Sequence, residues 1–252
     1  MDKIEIECCH CNVYVSLIKF SQEVTIMHIE PYMEQIRRCH LFDHIATEDL
    51  MRMLSCIGCK VITYAPKTYI LDEEDTIEDV GVLLSGHINM VSEDIYGHRT
   101  TLVRMGPNEL FGESFALSGS KRSTVSFMTN EPCIVLYIPL QKVLHICSNS
   151  CPFHHQLIEN MFYTLSMKNQ QLIEKSAIIS KPTLQDKIWT YLNLEAERQQ
   201  KIYFEIPLNR NELADYLCAN QSALTRELKH MKEKGLIDFD KNTFHLFKER
   251  KQ

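Results

Sequence analysis

The chain lacks several things, and each absence removes a class of function. None of its apolar runs approaches the roughly 20 residues that a membrane-spanning helix requires. Its start carries Asp2, Lys3, Glu5 and Glu7 and has no clean apolar stretch of the kind found in a secretory leader. There is no overall basic excess to mark a nucleic-acid binder: 27 Lys and Arg stand against 33 Asp and Glu, a net charge of −6. The deficit is uneven. From Pro182 to the end there are 12 Lys and Arg against 11 Asp and Glu, and the remainder holds 15 against 22. Any grip on DNA must therefore come from a local patch. Also missing are a nucleophile–base pair, a metal motif at catalytic spacing and a phosphate loop of the Walker type, so the chain reads as no enzyme. Cysteine is plentiful, at ten. Without a leader or a framework of spacings, those thiols point to a reducing cytoplasm rather than a disulfide scaffold.

What is present is organised around Arg210–Ile237, RNELADYLCANQSALTRELKHMKEKGLI. It reads as two short helices with a tight break. Leu213, Ala214 and Leu217 make the apolar face of the first, and Leu224, Leu228 and Met231 make that of the second at i, i+4, i+7. Asn220 is placed to cap the second helix and Gly235 to end it. The opposite face carries Gln221, Ser222, Thr225, Arg226 and Lys229: hydrogen-bonding groups first, positive charge further on. A helix-turn-helix needs that order, because its N-terminal residues reach base edges while cations hold phosphates. An ordinary helical hairpin with a solvated face would look similar. The next stretch, Asp238 to Phe247, weighs against it by reading as strand, turn, strand, a small wing.

Upstream, Pro31 to Cys59 is helical, with a helix start at Thr47-Glu48-Asp49. Cys56-Ile57-Gly58-Cys59 has redox spacing but ends a helix before a strand, so it reads as a structural pair. From Lys60 to Ile138 the period becomes 2, with turns at Pro66-Lys67, Ser85-Gly86, Tyr96-Gly97-His98 and Gly106-Pro107-Asn108. Many short strands at that spacing predict a β-barrel or jelly roll. Pro152 opens a helix of about 27 residues, some 40 Å at 1.5 Å per residue. Its seam of Leu157, Ile158, Met161, Leu165, Leu172 and Ile179 favours self-association. Ser180-Lys181-Pro182 reads as a hinge, and Thr183 to Asp186 opens the next helix.

These motifs together resemble the Crp/Fnr family of bacterial transcription regulators over roughly Ile36 to Phe247. The resemblance implies an α+β chain of four parts: an N-terminal extension, 1–30; a β-barrel or jelly-roll effector domain similar to cyclic-nucleotide-binding domains, 31–151; a dimerisation helix and hinge, 152–181; and a winged helix-turn-helix, 182–252. The extension is expected either to be disordered or to precede the true start at Met27.

The resemblance further implies a homodimer on double-stranded DNA, working with RNA polymerase and independent of membranes. Arg226 aligns with a guanine-reading arginine; Gln221, Ser222 and Thr225 would set further preference, and Lys229 and Lys232 would hold phosphate. Gly112, Glu113, Ser114, Arg122 and Ser123 match the family's phosphate-binding cassette, one residue shorter between Glu and Arg than in the cAMP receptor. Where that receptor contacts adenine with Thr-Ser, this chain has Leu172-Ile173, which cannot hydrogen-bond a base.

The cofactor is left unknown, with a cyclic nucleotide, a metal or haem all open. Cys147, Cys151, His154 and His155 form a candidate metal or redox set, and Cys8-Cys9-His10-Cys11 a weaker one. A ligand-binding module without DNA binding and a thiol or metal redox sensor are the alternative readings.

Overall fold

The computed structural model describes residues 26–94, 96–144 and 152–247. The chain divides into two compact units, one ending at Phe162 and one beginning at Tyr163.

In the first unit a short strand, β1 (Ile26–Met27), precedes two helices, α1 (Met33–Arg37) and α2 (Thr47–Ile57). Glu48 and Asp49 in the first turn of α2 favour its positive end. Leu50, Met53, Leu54 and Ile57 fall on one face and are all buried. Gly58, at φ 76°, then ends the helix in a left-handed conformation. Cys56 is exposed, whereas Cys59 leads into the sheet buried, its thiol pushed well up by desolvation; both are free.

The strands follow: β2 (Lys60–Tyr64), β3 (Tyr69–Leu71), β4 (Asp79–Ser85), β5 (Ile88–Glu93), β6 (Arg99–Met105) and β7 (Leu110–Phe111). After a single turn, α3 (Glu113–Ala116), come β8 (Ser126–Thr129) and β9 (Cys133–Pro139), then α4 (Leu140–Leu144). The predicted barrel or jelly roll is not what forms. The strands make two open antiparallel sheets, ordered β1-β2-β9-β4-β7 and β3-β8-β5-β6. Period-2 patterning sets which face of a strand is buried and says nothing of whether the end strands meet. Here β6 shows why they do not: six of its seven residues are exposed, leaving a free edge.

One cluster of this unit is aromatic. The Phe111 ring lies 5.3 Å from that of Phe127 and 6.4 Å from that of Tyr137. It occupies the space over Gly81, where a Cβ would come within 2.3 Å of its Cζ. The Tyr64 and Tyr137 hydroxyls share a hydrogen bond of 2.7 Å.

The long helix α5 (Pro152–Ile179) runs through the division between units. In the first unit, Asn160 Nδ2 donates to the carbonyls of Leu41 (3.0 Å) and Asp43 (2.8 Å), pinning α5 to the segment before α2. Leu157 and Met161 belong to the core rather than to an exposed seam.

The second unit continues with α6 (Leu184–Gln199), β10 (Tyr203–Glu205), α7 (Arg210–Tyr216), α8 (Gln221–Glu233), β11 (Ile237–Asp240) and β12 (Thr243–Leu246). Its sheet is ordered β10-β12-β11. Ile188, Leu192, Leu213, Leu217, Leu224, Leu228 and Phe244 form its core. Thr183 Oγ1 accepts from Asp186 N–H to cap α6, and Asn209 with Glu212 makes a full capping box on α7. Among the described residues no helix is long and apolar enough to cross a membrane.

Candidate nucleic-acid interface and effector site

The apolar positions of α8, Leu224, Leu228 and Met231, are buried against α6, α7 and the small sheet, which turns the opposite side of the helix to solvent. The Asn220 carbonyl oxygen Oδ1 accepts from Ser222 N–H at 2.9 Å and from Ser222 Oγ at 2.5 Å, fixing the N-terminal turn. Thr225 Oγ1 donates to Gln221 O at 2.9 Å, so its remaining capacity is as an acceptor. Gln221, Ser222, Thr225, Arg226 and Lys229 are all exposed. Among the described residues, no hydrogen bond or ion pair engages the Arg226 or Lys229 side chain. Two cations stand ready on the face that would meet a groove.

Lys232 is placed differently. It pairs with Asp238 of β11 and lies 5.4 Å over the Phe239 ring, so its ammonium is engaged within the fold. The same contact holds the Asp238 carboxyl below its ordinary range. Sequence reasoning missed Arg210, which stands 5.3 Å over Phe239 and 5.6 Å over Phe244 and donates to Lys241 O at 2.8 Å. It ties α7 to the turn of the wing. Cation–π contacts between residues some 30 positions apart leave no local sequence signal.

In the first unit the cassette residues lie at the start of α3 and in the segment before β8. Gly112 takes φ 82° and α3 starts at Glu113, which is buried, with Ser114 exposed. Ser123 is fully buried and spent internally: its Oγ donates to Val125 O and accepts from Val125 N–H. The Arg122 side chain is 62 % exposed, and its Nη1 is 2.9 Å from Glu74 Oε2. The backbone around it is stitched to the strand opposite, with Ser123 N–H on Asp75 O and Ile77 N–H on Lys121 O. The Arg122 guanidinium and the carboxylate it faces are both largely exposed.

Of the metal or redox set, Cys147 and Cys151 lie outside the described residues, as do Cys8 to Cys11. His154 is buried, its Nδ1 without a hydrogen-bond partner among the described residues, and His155 is exposed and 3.2 Å from Glu159. Among the described residues no group of three or more His, Cys, Asp or Glu is gathered for a metal.

Comparison with known proteins places this geometry. A family described as cyclic nucleotide-binding domain matches residues 61–150, and one described as Crp-like helix-turn-helix domain matches residues 186–249. A cyclic-nucleotide-binding-like domain followed by a Crp-type reader defines a class of DNA-binding transcription regulators, and the chain belongs to the Crp/Fnr family.

Among solved structures, a Cys-to-Ser variant of CprK complexed with OCPA is similar at 14% identity and TM-score 0.56, covering 86% of this chain and 88% of that one. The c-di-GMP responsive global regulator CLP of Xanthomonas campestris is similar at 18% identity and TM-score 0.53, covering 79% and 97%. A cyclic nucleotide-binding domain from Methylobacillus flagellatus is similar at 13% and TM-score 0.54, covering 64% and 92%. At such identities the likeness concerns the fold. No curated protein matches.

Proposed function

We propose that the chain is a homodimeric, sequence-specific regulator of transcription, acting in the cytoplasm with RNA polymerase, whose hold on DNA is set by an effector at the two-sheet domain. The observation that carries the reading is α8: a capped helix with exposed Gln221, Ser222 and Thr225 at its start and two unengaged cations, Arg226 and Lys229, one and two turns on. Arg226 reads a base, and Lys229 holds phosphate. A dimer is supported by α5, where Phe162, Tyr163, Met167, Leu172 and Ile173 are exposed large apolar residues. Two readers one helical turn of DNA apart, about 34 Å, then favour a near-palindromic site.

Effector action is a population shift: the effector raises DNA affinity only by its preference for the DNA-competent state. The Arg122–Glu74 pair and the internally bonded Ser123 argue for an effector other than a simple cyclic nucleotide. The test selects bound sequences from a random duplex pool and measures retardation of the winner. Wild-type binding that Arg226→Ala weakens while α8 stays folded supports the reading; failure to enrich any sequence, with candidate effectors present, overturns it. Thermal shift against cyclic nucleotides, zinc, haem and oxidant then searches for the signal. A ligand at 100 times its Kd adds about 2.7 kcal/mol.

A further inference from the structure

Ser180-Lys181-Pro182 reads in the sequence as a hinge before the DNA reader, yet the residues that precede it are built into the reader. Ile178 is 1 % exposed and shares one core with Leu192, Leu217 and Phe244. Glu174 pairs with Arg198 of α6, whose Nη1 also donates to Glu195 Oε1 at 2.6 Å. Glu195 is itself buried. The Lys175 ammonium lies 5.4 Å over the ring of Tyr216 in α7, and that ring stands 5.3 Å from Tyr191 of α6. Backbone bonds continue through the supposed hinge: Ser180 N–H donates to Ser176 O, and Lys181 N–H to Ile178 O. Thr183 then caps α6 at once. The turn has little freedom left.

Just upstream the pattern reverses. Asn169, Gln170, Gln171, Leu172 and Ile173 are five successive exposed residues. At 100° per residue they cover every side of the helix, so the chain's own side chains do not cover α5 there.

We propose that Glu174–Ile179, the turn at Ser180–Thr183 and helices α6 to α8 form one rigid body, latched by Arg198, and that the chain does not give at the turn. A displacement that reaches Glu174 and Lys175 then passes to α6 and α7 without being taken up between Ser180 and Thr183. The inference concerns the fold and stands whether or not the chain binds DNA.

Native-state hydrogen exchange on the full chain tests it. The amides of Ser176–Lys181 should share the denaturant dependence of Ile188–Leu192 and match their protection to within about threefold. Exchange of Ser176–Lys181 at the rate of an open loop overturns the proposal. In Arg198→Ala, residues 174–181 should exchange at least about tenfold faster, with Leu224–Met231 unchanged. Should that variant loosen α6 to α8 together, Glu174→Gln decides. It leaves the Arg198–Glu195 bond in place and should speed residues 174–181 alone; no change there sinks the latch.

Discussion

Arg226 and Lys229 sit one turn apart on the same exposed face, and their chemistry separates their effects. Arg226→Ala should cost about 1–3 kcal/mol at one base pair and relax discrimination there. Lys229→Ala should weaken all sequences alike and lower the slope of log affinity against log salt by about 1, measured by anisotropy across a salt series. Cys218, in the turn before α8, holds φ at 51°. A side chain in that left-handed region costs about 1–2 kcal/mol, more than the roughly 0.5–1 kcal/mol of backbone entropy that glycine brings. Cys218→Gly should therefore raise stability in urea by a few tenths to about 1 kcal/mol. The site faces were legible at this scale because a helical period assigns each residue a side. The engagement of Lys232 by Asp238 was not, because it depends on where β11 lands.

Burial also sets an alkaline limit. It pushes the Tyr64 phenol up to about 12 from 10.0 and the Cys39 thiol up to about 11 from 9.0. The folded chain then keeps protons that the unfolded chain releases, so stability from these groups is complete below pH 9 and lost as pH rises from there towards 12. Tyr64→Phe, which cannot ionise, should reduce the part of the decline that begins at pH 10 and leave the share due to the other buried phenols, Tyr137, Tyr191 and Tyr216, read from thermal midpoints across that range.

At the scale of elements, β4 and β7 are fitted by a single glycine. Alanine at Gly81 would meet the Phe111 ring, so Gly81→Ala should destabilise by about 1–3 kcal/mol. Phe111→Leu, made with it, should return part of that loss, and a double-mutant cycle on urea midpoints measures the coupling. The period-2 pattern between Lys60 and Ile138 found β2, β3, β4, β5, β6, β8 and β9 in the sequence. It missed β1, β7 and β10, two or three residues long, which are too short for a period to show. Helices α5 to α8 were clearer, because Pro152, Thr183, Asn209 and Asn220 mark their starts with caps or a proline that work locally.

For the whole molecule, the question is what covers α5. Leu172 and Ile173 are 64 % and 60 % exposed, a poor use of large apolar residues unless a second copy packs on them. Leu172→Lys should shift the sedimentation of the chain from dimer to monomer. It should leave the fold within about 0.5 kcal/mol, as expected for a surface change, and abolish binding to the paired half-sites. A variant that still sediments as a dimer would point to a different interface.

By itself the sequence determined what depends on neighbours along the chain: the period of each element, the caps, the stripe on α8 and the two-domain order of sheets and reader. The tertiary structure decided what depends on distance in space. It left the sheets open where a barrel was expected, because closure is settled by the fate of edge strands such as β6. It set Arg122 beside Glu74 and folded Ser123 onto Val125, pairings across 48 residues and within a buried turn that the residue types of the cassette do not announce. It also gave Glu174, Lys175 and Ile178, just before the expected hinge at Ser180–Pro182, partners in α6 and α7 that no local pattern announces.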